Sequence, residues 1–315
     1  MTVQASHVLV LGEALVDAVV KGGVVVAEHV GGSPANVAFG LGALGHGVSL
    51  ATWIGLDARG ERIAQRCADA GVRVVDGSTG AEETSVAYAT IDARGQANYR
   101  FDLTWALPEL GDTSNVGHVH TGSISATLEP GGAQVVDAVR ALRKHSTVSY
   151  DPNMRPTLMG SADAVRARVE ELISLSDVVK ASDEDVQWLY PGAFLPDVLR
   201  EWEALGPALA VITRGGQGAV YAVSSATGES AREVTTVPSR ATTVIDTVGA
   251  GDSFMAGLIS GLLDAGYLGG PKARARLSHA TIDDLRPCID RALATSGVTV
   301  GHAGAYAPTH DELDR

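Results

Sequence analysis

At 315 residues, 45% hydrophobic and only 5% aromatic, the chain has enough apolar material for a full α/β core made mostly of Ala, Val, Leu and Ile. Its 37 acidic and 24 basic side chains give a formal net charge of −13, which disfavours nucleic-acid binding and means that an anionic ligand needs a local cation or a helix N-terminus. The two cysteines, Cys67 and Cys288, have neither metal-ligand nor disulfide spacing and are expected to be buried thiols in a reducing cytoplasm; no signal peptide or membrane span is expected from Met1–Ser6 or the short apolar run Val8–Leu11.

Val8 to Gly12 reads as a buried parallel strand. Asp17 follows as an isolated carboxylate, either an acceptor for sugar hydroxyls or an exposed turn Asp. Val24 to Val26 predicts another strand. In Gly31-Gly32-Ser33-Pro34-Ala35-Asn36, Ser33 suits the N-cap and Pro34 the first position of a helix running to about Leu44 and ended by Gly45. The paired glycines allow a small ligand to lie on the backbone, and Asn36 can read a hydroxyl pair. Gly40-Leu-Gly42-Ala-Leu-Gly45 matches G-x-G-x-x-G. It lies inside a helix rather than between strand and helix, so it predicts close helix packing and not a dinucleotide site.

Val48 to Ile54 predicts a strand and Gly55 to Gly60 a turn into a helix ending near Ala70. Thr84 to Ile91 and Asn98 to Phe101 predict a hairpin joined by Asp92 to Gly95. With the Val24 strand it falls outside the βα rhythm, as a small sheet over a site would, where it would exclude water. From Val116 the order is strand, helix, strand: Val116 to His120, Pro130 to Lys144, then Val148 to Tyr150. Asp151, Asn153 and Arg155 follow at the carboxyl end of a strand, where doubly wound folds gather ligands, and Arg155 offers a planar fork for phosphate. His118 and His120 read as satisfied strand-end histidines rather than metal ligands.

Asp177 to Lys180 predicts a strand, and Ser182-Asp183-Glu184-Asp185 a helix start. Asp183 suits the cap; Glu184 or Asp185 could help hold hydrated Mg²⁺. Ala208 to Thr213 predicts a buried strand that turns through Arg214-Gly-Gly-Gln-Gly218 into Ala219 to Val223, with glycines that let a nucleotide approach. Lys272, Arg274 and Arg276 read as a loop, solvated or touching nucleotide. A last helix is expected from Pro287 to Thr295, then a turn-rich tail.

Asp246-Thr-Val-Gly249-Ala250-Gly251-Asp252 leads into an apolar helical pattern, with Phe254, Leu258 and Leu262 on one stripe. Its glycines admit a ligand to the helix N-terminus, where unpaired N–H groups favour an anion, and Asp252 is placed to act as a base. The alternative is an Asp capping a helix beside a tight turn.

Gly31 to Asn36 resembles the N-terminal signature of the ribokinase-like (PfkB) carbohydrate kinases, and Asp246 to Asp252 their C-terminal signature. Asp151-Pro-Asn-Met-Arg155 and Thr213-Arg-Gly-Gly-Gln-Gly218 fit between them, so the resemblance spans nearly the whole chain. Gly12-Glu-Ala-Leu-Val-Asp17, Tyr99-Arg-Phe101 and Lys180-Ala-Ser182 look most like the fructokinase branch. The resemblance implies a three-layer α/β/α fold with a mostly parallel doubly wound sheet. It implies one domain over 1–315, with a β-sheet lid from about 13–32 and 84–105. It implies Asp252 as base and an anion hole from Gly249, Ala250 and Gly251. Asp17, Gly31, Gly32, Asn36 and Asp246 would face the sugar, with Arg100 or Arg155 reaching it. Asn153, Lys180, Ser182, Thr213, Gly215 and Gly218 would face the nucleotide.

The implied cofactors are ATP with Mg²⁺, Asp185 holding the metal through water, and potassium near Asp246 and loop carbonyls. The implied assembly is a homodimer through the lid. Two positions depart from the pattern. The family's Asn-x-x-Glu element is Ser182-Asp-Glu-Asp185 here, one methylene shorter, and Val248 replaces the usual Thr or Ala. The expected activity is ATP-dependent phosphorylation of D-fructose at its 6-hydroxyl. The alternatives are 2-keto-3-deoxygluconate kinase, ribokinase, or a non-catalytic sugar sensor, which would be expected to lack the base or the glycines kept here. A nicotinamide dehydrogenase would need a glycine fingerprint near residue 10 that Gly12-Glu-Ala does not supply.

Overall fold

The computed structural model describes residues 6–91, 97–224, 234–241 and 243–313. In chain order the elements are β1 (His7–Leu11), β2 (Leu15–Lys21), β3 (Val24–Gly31), α1 (Ser33–Ala43), β4 (Val48–Ala51), α2 (Ala58–Asp69), β5 (Val72–Val74), β6 (Val86–Ile91) and β7 (Ala97–Asp102). Then come β8 (Val116–Gly122), α3 (Gly131–Leu142), β9 (Thr147–Asp151), α4 (Pro156–Met159), α5 (Ala162–Leu175), β10 (Val178–Ser182), α6 (Asp183–Leu189) and α7 (Leu195–Leu205). The remainder is β11 (Leu209–Thr213), β12 (Ala219–Val223), β13 (Val234–Val237), α8 (Ala250–Asp264), α9 (Pro271–Leu277), α10 (Ile282–Thr299) and α11 (His310–Leu313).

The large sheet has the order β13-β12-β11-β10-β9-β8-β1-β4-β5. It is parallel from β5 to β11, and β12 and β13 return antiparallel. Strand residues alternate between two cores, as a period of 2 requires. Val8 and Val10 pack with α1, α8 and α10, while Leu9 and Leu11 pack with α3. That is the expected α/β/α layering. The smaller sheet, β3-β2-β6-β7, joins two hairpins through a parallel β2–β6 pair.

Several expectations change. Asp17 lies within strand β2 rather than in a turn, because Gly22 and Gly23 (φ 59° and 80°) make the two-residue hairpin turn that returns the chain into β3. Helix α1 is capped by Gly32, not Ser33, and Ser33 sits in its first turn. Lys272 to Arg276 form helix α9, not a loop. Helix α10 begins five residues before Pro287, at a Thr281–Asp284 capping box. The Asp92–Gly95 turn lies outside the described residues.

Helix α8 is buried from Asp252 to Leu262 because small residues let its neighbours approach. A Cβ on Gly40 of α1 would come within 2.6 Å of Ala256, and one on Gly257 within 2.4 Å of Thr295 on α10. The G-x-G-x-x-G stretch therefore serves packing, as its helical setting predicts. His118 and His120 are fully buried on the hydroxyls of Thr147 and Ser149, and burial holds both imidazoles below the ordinary histidine range. Cys67 and Cys288 are buried free thiols. Among the described residues no helix is long and apolar enough to cross a membrane.

Candidate active site

The N-terminus of α8 meets that of α1 beside the carboxyl ends of β9 to β11. Gly249 caps α8 in the left-handed region (φ 75°), and a Cβ there would strike Ala305 at 2.6 Å. Glycine thus permits the turn that aims the first N–H groups of α8 into open space. Asp252, 8% exposed, stands in that first turn. Its Oδ1 accepts the Ser33 hydroxyl at 2.6 Å, and its Oδ2 accepts Asn36 Nδ2 at 2.8 Å. Asn153 Nδ2 is 3.5 Å from Oδ1. Ser33 therefore orients Asp252 instead of capping its own helix.

Two cavities open on this corner. The smaller, about 160 Å³, is lined by Glu13, Leu15, Asp17, Gly32, Asn36 and Arg155, with Ala87 and Phe101 of the small sheet above and Val248, Gly249 and Asp252 at one side. The larger, about 600 Å³, runs over Asn153, Lys180, Ser182, Thr213, Gly215 and Gly218 to an apolar end at Val244, Leu293, Gly297 and Val300. Arg155, Val248, Gly249 and Asp252 line both. A carboxylate and a row of backbone donors thus stand at the junction of a small polar pocket and a long cleft.

Lys180 reaches this junction from beneath. Its Nζ is 2.7 Å from Asp151 Oδ2, and a Cβ on Gly251 would lie 3.0 Å from it. Burial pulls the Lys180 pKa down; Asp151, then Asp185 and Asp252, more than offset this and hold it above the ordinary lysine value. A fixed positive charge therefore sits under the first turn of α8. Asp151 does not face the cavity as its strand-end position suggested: it is fully buried behind Lys180. Asn153 adopts a left-handed φ of 38°, and Arg155 Nη1 clasps its side chain at 2.7 Å and its carbonyl at 3.1 Å.

The helix cap expected of Asp183 is made by Ser182 with Asp185. Asp185 accepts the N–H groups of Ser182 at 2.8 Å and Met154 at 2.7 Å, so both its oxygens are engaged by backbone. Loss of solvent in the recess around Asp17 raises its pKa although the side chain keeps an accessible face, Arg155 and His29 oppose this, and Asp252 adds to it.

Three expected sugar-facing residues stand elsewhere. Arg100 lies on the outer face of the small sheet, over the Tyr88 ring at 4.4 Å, because alternation sends only its neighbour Phe101 inward. Asp246 points at the tail, accepting the N–H groups of Gly304 at 2.8 Å and Val248 at 3.1 Å. Gly31 is not in the pocket wall; it makes room for Asp17, whose Oδ2 a Cβ would meet at 2.2 Å. Arg274 does not reach nucleotide space. It ties Asp177 at 2.6 Å to the carbonyls of Arg143 and Ser146, at the amino ends of β9 and β10. Sequence reasoning missed Glu13, Ser33, Ser123 and Leu158 as pocket residues: Ser33 and Glu13 stand in stretches that the sequence singles out, but Ser33 reads as a cap and Glu13 is given no role, while nothing local marks Ser123 or Leu158.

Residues 6–312 match the pfkB family of carbohydrate kinases. A fructokinase from Rhizobium leguminosarum bv. trifolii is 31% identical over 268 residues, covering 81% of this chain and 79% of its own. The crystal structure of fructokinase from Xylella fastidiosa superposes with a TM-score of 0.81 at 25% identity, covering 98% of each chain. A fructokinase double mutant from Vibrio cholerae O395, in its fructose-, ADP- and potassium-bound form, has the same fold, with a TM-score of 0.78 at 24% identity over 98% of this chain and 97% of that one. The chain belongs to the pfkB family of carbohydrate kinases and, as a sugar kinase, falls on its fructokinase branch.

Proposed function

We propose that this sugar kinase transfers the γ-phosphoryl group of Mg-ATP to the 6-hydroxyl of D-fructose. The observation that carries the reading is the meeting of the two cavities at Asp252 and Gly249. A sugar in the smaller and a nucleotide in the larger would face each other across one carboxylate. The Vibrio relative binds fructose and ADP, a sugar and a nucleotide of the kinds that these two cavities would take on this reading.

On this reading Asp252 accepts the hydroxyl proton, a role worth roughly 10²–10⁴-fold. Ser33 and Asn36 keep its two oxygens aimed. The N–H groups of Gly249 to Asp252, with Lys180 beneath, stabilise the charge spread over the transferring phosphoryl group. Asp17, Gly32, Asn36 and Arg155 hold the sugar. Asn153, Ser182, Thr213, Gly215 and Gly218 border the phosphates, and Val244, Leu293 and Val300 offer an apolar seat for the base. Residues 13–32 and 84–105 act as a lid within one kinase domain and exclude water.

The acidic residues Asp183, Glu184 and Asp185 line the cleft. They suit Mg²⁺, which keeps several waters and takes few protein ligands. Asp185, with both oxygens engaged, would hold it through water, and the bound ion would neutralise phosphate charge. Potassium is assigned to the junction of the 246–248 turn with residues 300–304, where the Asp246 and Val300 oxygens lie beside backbone donors. The exposed edge residues Val24, Val25 and Val26 of β3 suit a homodimer through the lid, in a reducing cytoplasm.

A second reading, 2-keto-3-deoxygluconate kinase, is favoured by the Arg155 fork in the sugar pocket, which suits a carboxylate; ribokinase is third. A coupled ADP-release assay over the three sugars, with and without potassium, is expected to give the highest kcat/KM for fructose. Preference for the sugar acid would overturn that assignment. Asp252→Asn is expected to lower turnover roughly 10²–10⁴-fold with little loss of sugar affinity. Unchanged turnover would remove the base, and sugar binding without ATP consumption by the unaltered protein would mark a sensor.

A further inference from the structure

The buried carboxylates of this fold mostly have visible partners. Asp151 holds Lys180, Asp177 holds Arg274, and Asp185 accepts two backbone N–H groups. Glu13, 6% exposed and without an ion pair among the described residues, likewise has hydrogen-bond partners, but it lines the smaller cavity, which the proposed function gives to the sugar.

Its position is built from several directions. The adjoining backbone is pinned to β4 and the segment after it, through Gly12 N–H on the Ala51 carbonyl at 3.0 Å and Ala14 N–H on the Thr52 hydroxyl at 2.9 Å. Its own carbonyl lies under Gly32, where a Cβ would come within 2.5 Å. Its Oε2 accepts the Ser125 N–H at 3.1 Å, and the hydroxyls of Ser123 and Ser125 stand beside the carboxyl. Ser123, also in the pocket wall, is held at a left-handed φ of 56°, an unfavourable backbone for a serine. A carboxylate offers about four acceptor positions. Among the described residues the Ser125 N–H makes the close hydrogen bond, to Oε2, with the Glu13 N–H and the two serine hydroxyls around the carboxyl; Oε1 has no comparable bond and is the atom available to a ligand in the cavity that Glu13 lines.

We propose that Glu13 is a specificity-determining residue of the acceptor site, its carboxyl accepting a hydrogen bond from a sugar hydroxyl other than the one that is phosphorylated. The proposal rests on the sugar-kinase reading of this pocket and extends it to a polyhydroxylated substrate with a donor at a fixed second position. A merely structural Glu13 would affect all sugars alike, whereas a hydroxyl-binding one discriminates among them.

The test is a double-mutant cycle between protein and substrate. The unaltered enzyme and Glu13→Gln are assayed for kcat/KM on fructose and on its 1-, 3- and 4-deoxy analogues. Glutamine can still accept the Ser125 N–H, but it then turns an NH₂ donor toward the sugar. One deoxy analogue is expected to lose roughly 10- to 100-fold in the unaltered enzyme and only a few-fold in Glu13→Gln, because the buried acceptor is otherwise left unpaired. On fructose itself the variant is expected to change KM more than kcat. Equal losses for every analogue in both proteins would overturn the proposal. Should Glu13→Gln fail to fold, Glu13→Asp, which withdraws the carboxyl by one methylene, enters the same cycle and reads the same coupling. If the unaltered protein phosphorylates none of these sugars, the kinase assignment to fructose fails separately, and the cycle is run on binding affinities of the sugar that does bind. Absence of coupling there still overturns the role of Glu13.

Discussion

Replacing Glu13 by glutamine is expected to stabilise the protein at high pH while weakening sugar selection. Burial raises the Glu13 carboxyl from an ordinary 4.5 to about 7, against hydrogen bonds from the backbone and from Ser123 and Ser125 that lower it. A raised pKa means that the folded state binds the proton more tightly than the unfolded chain. The stability linked to that proton is therefore fully present below about pH 4.5 and is lost as pH rises through about 7. The gap of roughly 2.5 units corresponds to about 3 kcal/mol above pH 8, of which roughly 2.5 kcal/mol develops between pH 5 and pH 8. Glutamine does not titrate, so Glu13→Gln should escape this loss.

With an unfolding entropy of about 2.1 cal/mol/K per residue, the melting temperature of the variant relative to the parent should rise by about 4 °C between pH 5 and pH 8. Calorimetric melts of both proteins across that range measure it directly, and titrations shared by the two, such as that of Asp17, cancel in the difference. A pH-independent difference in melting temperature would show that Glu13 sits in the folded protein as an ordinary solvated carboxylate, and the burial argument would fail. A stabilised variant with degraded sugar discrimination is the pattern of a residue that costs stability for the sake of a site.

Two further perturbations separate the active corner from the scaffold. Asp151→Asn leaves Lys180 buried without its partner and should destabilise by about 3–5 kcal/mol in denaturant melts while raising the KM for nucleotide. A change confined to the sugar KM would contradict the proposed role of Lys180, under the first turn of α8, toward the nucleotide. Arg274→Ala removes the tie between Asp177 and the carbonyls of Arg143 and Ser146 and should cost a similar few kcal/mol. Initial-rate kinetics below the melting range should show both substrate KM values unchanged, because this tie lies at the amino ends of the strands; a raised nucleotide KM would restore Arg274 to the cleft.

What could be read along the chain was whatever local stereochemistry decides. Apolar runs gave the parallel strands other than the three-residue β5, and the 246–262 stretch announced a helix with a ligand-accepting start, because its glycines and periodicity are local facts. Asp252, Asn36 and the nucleotide-side glycines were found this way, Lys180 only through the family resemblance, and the structure brings them to one corner. Local signals also misled. Pro287 suggested a helix start although the Thr281–Asp284 box, beginning six residues earlier, set it, and Ser33 read as a cap because nothing in its neighbours reveals that Asp252, 219 residues away, takes its hydroxyl.

Only the tertiary structure could decide which side of the small sheet faces the pocket, since one residue of register separates Phe101 inside from Arg100 outside. It alone placed Asp151 behind Lys180 and turned Asp246 to the tail. It alone brought Glu13 into the wall of the smaller cavity, because burial and partnership are properties of elements that meet from far apart in the chain. Sequence periodicity dictates which elements form; their crossing, governed by glycine contacts such as those of Gly40 and Gly257, dictates which polar side chains share a cavity.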